Sequence, residues 1–425
     1  MVNGKRHRSV SNHTKRRKQH VPDSAARQHE RDCQTSQSSS SSRVDSSVES
    51  STSSSNGTSM DVIVHFDWYK GMYLGGDRRY EVRRKLGEGT FGRVLECIDH
   101  NRRSRVAVKV IRDVKRYVDN AKIEAKILER VNEIRRLKNF HQGGRGIVRL
   151  YDLFFHKDKY YCLSFEKLGK TLLDVIQMNN HMGMHIFDIQ IITKELLEIM
   201  DFLHAECTLV HTDIKMENIM LTGFDFTETR PPPRLGRSGN CFYRPNLVSH
   251  ETRGAHRSIR LIDFGNGVFH GDHHSLVVNT RQYRSPEVIL VQPWDAKSDM
   301  WSVGCVVGEL FAGELVFPTH SNLEHLAMIE KVVGRPIDDS VWNRTSRSIR
   351  EKYLCKTRLN WPQGCESTDS FAAVQSAVPL KDMFYEYSSL YSLVSRLLRI
   401  DKDTRATAER ALDSSFLSCR ISFSE

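Results

Sequence analysis

The 425-residue chain contains no C-x-x-C pair; its nine cysteines, an odd number, are scattered along it. That pattern argues against a disulfide framework or a zinc site and for a reducing compartment. No apolar run reaches membrane-spanning length, and the basic amino terminus has no apolar segment behind it, so neither a membrane span nor a secretory leader is expected. The first 60 residues have no Phe, Tyr or Trp and few branched apolar residues; they hold "KRHR", "KRRK" and the run "SQSSSSSR". Such a segment cannot bury enough surface to offset its ordering entropy, so residues 1–60 are expected to be a disordered tail. No internal repeat is visible.

What is present is a large apolar content, 39%, with 27% charged residues, enough for a sizeable core in two lobes. The net charge of +11 divides into +5 in the tail, from ten Lys/Arg against five Asp/Glu, and +6 in the remaining 365 residues. The patch Lys15–Lys18 reads either as a solvated basic tail or as a nuclear-import signal, with nuclear import favoured. No aromatic residue interleaves with these charges, so specific nucleic-acid binding is not expected, only weak contact through the tail.

From about Phe66 the texture becomes that of ordered structure. "YEVRRKLGEGTFGRVLECIDH" and "SRVAVKVI" alternate apolar and polar residues and predict an antiparallel sheet. Residues 118–137 place Ile123, Ile127, Val131 and Ile134 at helical spacing. "YYCLSFEKLG" reads as a buried strand running into a linker, and 189, 192, 196, 199 and 203 form one apolar helix face. "DMWSVGCVVGELFAG" is apolar nearly all round, as a central buried helix would be. The prediction is an α+β chain: residues 61–168 a small sheet-rich lobe with one main helix, and 169–425 a larger, mainly helical lobe. Two insertions interrupt the second lobe, a Pro/Gly/Arg-rich excursion at about 222–258 and a weakly periodic stretch at about 336–380.

Gly87, Gly89 and Gly92 fit G-x-G-x-x-G, with Val94 two residues on. Glycines let backbone N–H groups approach phosphate oxygens, although the same cluster alone could be a plain tight hairpin. Its place between two strands, and not before a helix, excludes a dinucleotide-binding turn. Lys109 lies within an apolar strand and needs a counter-charge. Glu124 supplies one, because it shares a helix face with Ile127, Leu128 and Val131. Such a pair is worth only about 4 kcal/mol at 4 Å and an effective dielectric of 20, before desolvation, so its use is positional: it holds a lysine against phosphate.

His211, Asp213, Lys215 and Asn218 in "HTDIKMENIM" have the spacing of a phosphoryl-transfer catalytic loop, and "IDFG" adds Asp263. An Asp and an Asn on adjacent loops can hold Mg²⁺ through oxygen. Asp213 would accept the proton of an attacking hydroxyl, and Lys215 would stabilise the moving phosphoryl group. Glycine loop, strand lysine, helix glutamate, H-x-D-x-x-x-x-N and DFG in this order form the eukaryotic protein kinase set, which implies a two-lobed kinase fold with ATP and Mg²⁺ as cofactors.

Within that set "EHLAMIEK" resembles the E-H-L-A-M-M-E-R signature of the LAMMER, or CDC-like, kinases, with Ile329 and Lys331 departing from it. "GEGTFGRVLECIDH", "HTDIKMENI" and "DHHSLVVNTRQYRSPEVIL" are similar to that family in register, so the resemblance covers about residues 65–420. It implies a nucleotide pocket of Leu86, Gly87, Glu88, Gly89, Gly92, Val94, Ala107, Lys109, Phe165, Glu166, Leu168 and Asp174. Phe165 would guard its back, Glu166 and Leu168 would offer backbone groups to adenine, and Asp174 would lie near the ribose. It also implies that Thr280 sets its hydroxyl against Asp213 and Lys215, that Glu287 pairs with Arg405, and that Asp299 anchors the catalytic loop.

Thr212 stands where many kinases place an arginine that clamps a phosphorylated activation segment, and LAMMER kinases share this H-T-D. A segment 263–287 ordered by packing, without phosphate, is therefore expected. The resemblance further implies dual-specificity phosphorylation of protein substrates, Arg/Ser-rich nuclear splicing factors among them. A monomer located in the nucleus, shared with the cytoplasm, is expected. Met216 in place of a usual proline, "GNGVF" after DF and the long excursion depart from the pattern. The alternatives are a kinase of the same group with non-splicing nuclear substrates and a catalytically weak scaffold; the presence of every metal- and proton-handling residue speaks against the scaffold.

Overall fold

The computed structural model describes residues 65–137, 142–232, 241–247 and 258–419, all within one compact unit, Asp61–Glu425. The basic, serine-rich tail lies outside the described residues, as do parts of the 222–258 excursion. Among the described residues no helix is long and apolar enough to cross a membrane.

The small lobe is a six-stranded antiparallel sheet: β1 (Tyr73–Leu74), β2 (Tyr80–Gly89), β3 (Gly92–Asp99), β4 (Ser104–Ile111), β5 (Leu150–His156) and β6 (Tyr160–Glu166), in the order β1-β2-β3-β4-β6-β5. Val106, Val108 and Val110 of β4 are buried on one face, as period-2 alternation of β-branched residues requires. The intervening positions, Ala107 and Lys109, look the other way, toward the large lobe. Helix α1 (Lys115–Leu137) crosses that lobe-facing side and buries Glu124, Ile127, Leu128 and Val131. The stripe is narrower than the sequence suggests: Ile123, about 100° round from Glu124, is 46% exposed at its open edge.

The large lobe begins with α2 (Leu172–Met178) and α3 (Ile186–Asp201), which continues through one π-turn, Phe202–Glu206. Short strands follow: β7 (Leu209–Val210), β8 (Ile219–Leu221), β9 (Phe226–Thr229), β10 (Phe242–Pro245), β11 (Ile259–Leu261) and β12 (Val268–Phe269). Within the excursion β9 and β10 pair antiparallel against the lobe. Asn179 bonds both backbone groups of Tyr243 at 2.8 and 2.9 Å, and Arg244 grips Asp188 at 2.7 and 2.8 Å.

After α4 (Pro286–Ile289) comes α5 (Lys297–Ala312), with 14 of its 16 residues buried, as its all-round apolarity predicts. Around it stand α6 (Asn322–Val333), α7 (Asp339–Arg344), α8 (Arg347–Tyr353), the hairpin β13–β14 (Leu354–Cys355, Arg358–Leu359), α9 (Thr368–Ser376), α10 (Leu380–Met383), α11 (Ser388–Leu397), α12 (Ala408–Leu412) and α13 (Ser415–Ser418). The 336–380 stretch is thus built of short helices and one hairpin, too brief to show a period.

Arg405 locks this lobe. Fully buried, it donates to both Glu287 oxygens at 2.7 and 2.8 Å and to the carbonyls of Arg399 and Lys297 at 2.9 and 2.7 Å. Arg405→Ala leaves the Glu287 carboxylate buried and unpaired, and denaturant unfolding should show a loss of about 3–5 kcal/mol. Arg405→Lys should recover little of it, because an ammonium cannot reproduce the bidentate fork.

Candidate active site

The site lies where the sheet meets the large lobe. Register places Gly87 opposite Val94, Val94 opposite Lys109, and Lys109 opposite Leu163, so one line across four strands carries the glycine loop over the lysine. Ala107 faces Phe165 two residues along. Glycine is obligatory at 92: with φ +158° and β4 alongside, a Cβ would run into the carbonyl oxygen of Val110.

Lys109 Nζ lies 2.8 Å from Glu124 Oε2 and 3.9 Å from Asp263 Oδ1. Burial opposes its charge, but Glu124 and then Asp263 outweigh that cost and hold its pKa above the ordinary lysine value. Phe264, beside Asp263, is fully buried and stacks edge-on to His211 at 4.8 Å, which fixes the DFG turn inward. Asp263 itself adopts φ +62°.

Below them the catalytic loop is hung from the buried Asp299. Its Oδ2 accepts from the His211 amide at 2.8 Å and meets His204 Nε2 at 2.9 Å, while its Oδ1 accepts from the Thr212 amide at 2.9 Å. These bonds hold Thr212 at φ +66°, a left-handed conformation that a β-branched residue otherwise avoids. The strained turn aims Asp213. Its Oδ1 accepts from Thr280 Oγ1 at 2.7 Å, its Oδ2 pairs with Lys215 Nζ at 2.9 Å, and Lys215 donates to Thr280 Oγ1 at 3.0 Å. Burial would raise the Asp213 pKa, yet Lys215 and the Thr280 hydroxyl prevail and hold it below the usual carboxylate range. The pair therefore already cradles one alcohol oxygen between an anion and a cation.

Asn218 donates to the Asp213 carbonyl at 2.8 Å, which turns its amide nitrogen inward and leaves its oxygen to accept. With Asp263, 38% exposed in its side chain, this makes a pair of hard oxygen donors suited to Mg²⁺. Among the described residues no group of three or more His, Cys, Asp or Glu could hold a metal by itself.

The polar side chains at the rim of the expected nucleotide pocket have local partners. The Glu88 side chain is turned onto Lys85 and Arg93 at 2.9 and 3.0 Å, so only its backbone can serve the loop. Asp174 closes a capping box with Thr171 at the start of α2, its Oδ2 accepting from the Thr171 amide at 2.8 Å. The Glu166 amide is taken by the Arg149 carbonyl and its carboxylate by Arg260 at 3.1 Å, while Leu168 is half-buried. Leu86 lies exposed on β2 beside the glycines.

Sequence reasoning missed His204, 95 residues from the Asp299 it touches, and the Thr212 Oγ1 bond to the Asn266 carbonyl at 2.8 Å. It also missed Glu309, whose Oε2 accepts from the Tyr283 hydroxyl at 2.5 Å beneath the activation segment. No local pattern signals such contacts.

A two-lobed fold whose junction gathers a strand lysine, a helix glutamate, a DFG aspartate and an Asp–Lys–Asn catalytic loop defines a protein kinase. The protein kinase domain family matches residues 80–417. Serine/threonine-protein kinase AFC2 of Arabidopsis thaliana is 38% identical over 356 residues, covering 82% of this chain and 79% of that protein. Dual specificity protein kinase CLK2 of Homo sapiens is 34% identical over 358 residues, 83% of this chain and 66% of that one. A solved kinase-domain structure superposes with a TM-score of 0.72 at 37% identity, covering 84% of this chain and 99% of that one. The chain belongs to the protein kinase family, in its LAMMER or CDC-like branch.

Burial pushes the Glu309 carboxyl up to about 7, the Tyr283 hydrogen bond working against it and the charge of Glu217 adding to it. In the unfolded chain this acid ionises near 4.5, so the native state retains the extra proton across the window from 4.5 to about 7. Stability from this group therefore falls as pH rises through that window. Replacing the acid by a permanently neutral amide, Glu309→Gln, should flatten the decline in unfolding free energy between pH 5 and 8 by about 3 kcal/mol, read by urea titration.

Proposed function

We propose that this kinase transfers the γ-phosphoryl group of ATP, with Mg²⁺, to Ser and Thr hydroxyls of Arg/Ser-rich nuclear proteins such as splicing factors, and to Tyr in autophosphorylation. The observation that carries the phosphotransfer reading is the Lys109 amine set between Glu124 and Asp263 across the lobes. In this reading Lys109 binds phosphate oxygens, and the amides around Gly87, Gly89 and Gly92 close over them. Asn218 and Asp263 would hold the cation, which when bound neutralises the charge of the triphosphate. Asp213 orients the acceptor hydroxyl and takes its proton, and Lys215 balances the charge that develops on the transferring group. Ala107, Val94 and Phe165 would enclose the adenine.

The names of the relatives, serine/threonine-protein kinase and dual specificity protein kinase, support the range of acceptors. Nuclear location rests on the Lys15–Lys18 cluster.

The proposal extends to regulation: the activation segment 263–287 is ordered by packing and needs no phosphate. Supporting it, Thr212 bonds Asn266, Trp294 Nε1 donates to the Ser275 carbonyl at 2.9 Å, Ser298 donates to Asn279 at 3.0 Å, and Ser302 donates to the Tyr283 carbonyl at 2.8 Å. Arg284 closes the segment on itself through the Val278 carbonyl at 3.1 Å.

Asp213→Asn should keep ATP binding by calorimetry while phosphate transfer to a Ser/Arg peptide falls about a hundredfold to ten-thousandfold; transfer at the wild-type rate would refute the assignment. Phosphatase-treated wild-type enzyme should retain most of its specific activity. Loss to near zero, restored by phosphorylation within 263–287, would refute the phosphate-free segment.

A further inference from the structure

Glu88 poses a problem for a loop that must receive a triphosphate: a carboxylate between Gly87 and Gly89 would repel it. The structure answers by turning the side chain to the outer face. Arg93, its cross-strand partner, donates to Glu88 Oε2 at 3.0 Å, Lys85 donates to the same oxygen at 2.9 Å, and His65 Nε2 lies 3.4 Å from Oε1. Lys85 and Arg93 hold the Glu88 carboxyl down at about 2, so it stays ionised and paired.

Arg93 does not stop at Glu88. Its Nη1 donates to the carbonyl of Phe66 at 2.6 Å, and four-fifths of its side chain is covered. Phe66 is buried, standing edge-on to Tyr160 at 4.9 Å and to His156 at 5.5 Å, rings at the turn between β5 and β6. Beyond Phe66 the chain is pinned to β2, the Gly71 amide donating to Val82 and the Val82 amide to Met72, each at 2.8 Å, before β1 begins. The loop tip has a separate hold, for Arg112 donates to the Thr90 carbonyl at 3.1 Å and Phe91 meets Tyr117 on α1. The stem of the glycine hairpin is thus tied on its outer face to the segment that leads into the kinase domain.

We propose that residues 65–72 form a strap that positions the nucleotide loop, with Phe66 as its anchor and Arg93 as the link, so that affinity for ATP depends on how the strap is seated. Arg93 and Phe66 are positioning residues; neither touches the reacting atoms. An ornamental surface ion pair would contribute little to anything. A link between a buried aromatic anchor and a flexible glycine hairpin restricts the loop before nucleotide arrives, and reduces the ordering that binding must impose. The inference rests on the kinase reading of the site.

The test uses the full chain with Arg93→Ala, Arg93→Lys, Phe66→Ala, Phe66→Leu and the double variant R93A/F66A. KM for ATP, kcat at saturating ATP and amide exchange over residues 86–92 are measured together. Arg93→Ala and Phe66→Ala should each raise KM for ATP about threefold to tenfold, leave kcat within about twofold, and speed exchange in the loop. Phe66→Leu should restore most of the affinity and Arg93→Lys part of it. The double variant should be little worse than either single one, because both break the same link. Unchanged KM with a lowered melting temperature, a fall in kcat alone, or additive effects would each overturn the strap. Should Phe66→Ala fail to fold, Arg93→Ala carries the test. An active enzyme with unaltered KM in R93A would discard the strap and leave the phosphotransfer reading standing, whereas a wild-type chain that neither binds ATP nor transfers phosphate would remove the latter.

Discussion

Lys109 is the point at which the two lobes are made to agree. Its amine emerges from the lobe-facing side of a strand whose other face is packed with valines, and it has carboxylates on two sides, Glu124 from α1 and Asp263 from the large lobe. An unpaired ammonium at that depth would be costly, so the pair with Glu124 fixes the rotation of α1 against the sheet. The approach to Asp263 then fixes the sheet against the catalytic loop. The glycine loop, the Asn218 and Asp263 oxygens and the Asp213 carboxylate all take their distances from this one charged contact.

The large lobe meets that demand with a rigid floor. Asp299, buried on α5, receives two consecutive amides of the catalytic loop and a histidine from the turn after α3. Arg405 and Glu287 tie the end of the activation segment to the same floor. Between them Thr212 sits in a left-handed conformation that its neighbours impose, and its hydroxyl reaches into the activation segment. A kinase with arginine at that position has a charged clamp waiting for phosphate; this one has a short neutral bond already made. The same logic runs through the small lobe, where the Glu88 carboxylate is held by the arginine that also reaches the Phe66 carbonyl.

Much of this was legible in the chain. The Val-Ala-Val-Lys-Val alternation showed both the strand and the inward lysine, and the four-residue step from Glu124 to Leu128 placed the carboxylate on the buried face of α1. The apolar circumference of α5 announced a central helix, and two spaced motifs were enough to single out Asp213, Lys215, Asn218 and Asp263, which the fold brings to the lobe junction. Ile123 misled, because helical spacing does not tell how wide the packed stripe is. The excursion at 222–258 gave no sign of β9 and β10 because four-residue strands are too short to show a period.

What the residues determined by themselves is the set of groups and their local geometry: strand parity, helix face, glycine where a Cβ would collide, and oxygen donors at the spacing of one loop. These depend on neighbours within a few positions, and short-range sterics and hydrogen bonding settle them. Only the tertiary structure decided how Asp299 is shared by His204 and the catalytic loop, where Thr212 sends its hydroxyl, that Glu88 turns outward, and that Glu309 is buried against Tyr283. Each of these joins separate elements, or chooses between faces equally open to an isolated strand. Packing and desolvation of the whole chain select them, and no local pattern encodes that balance.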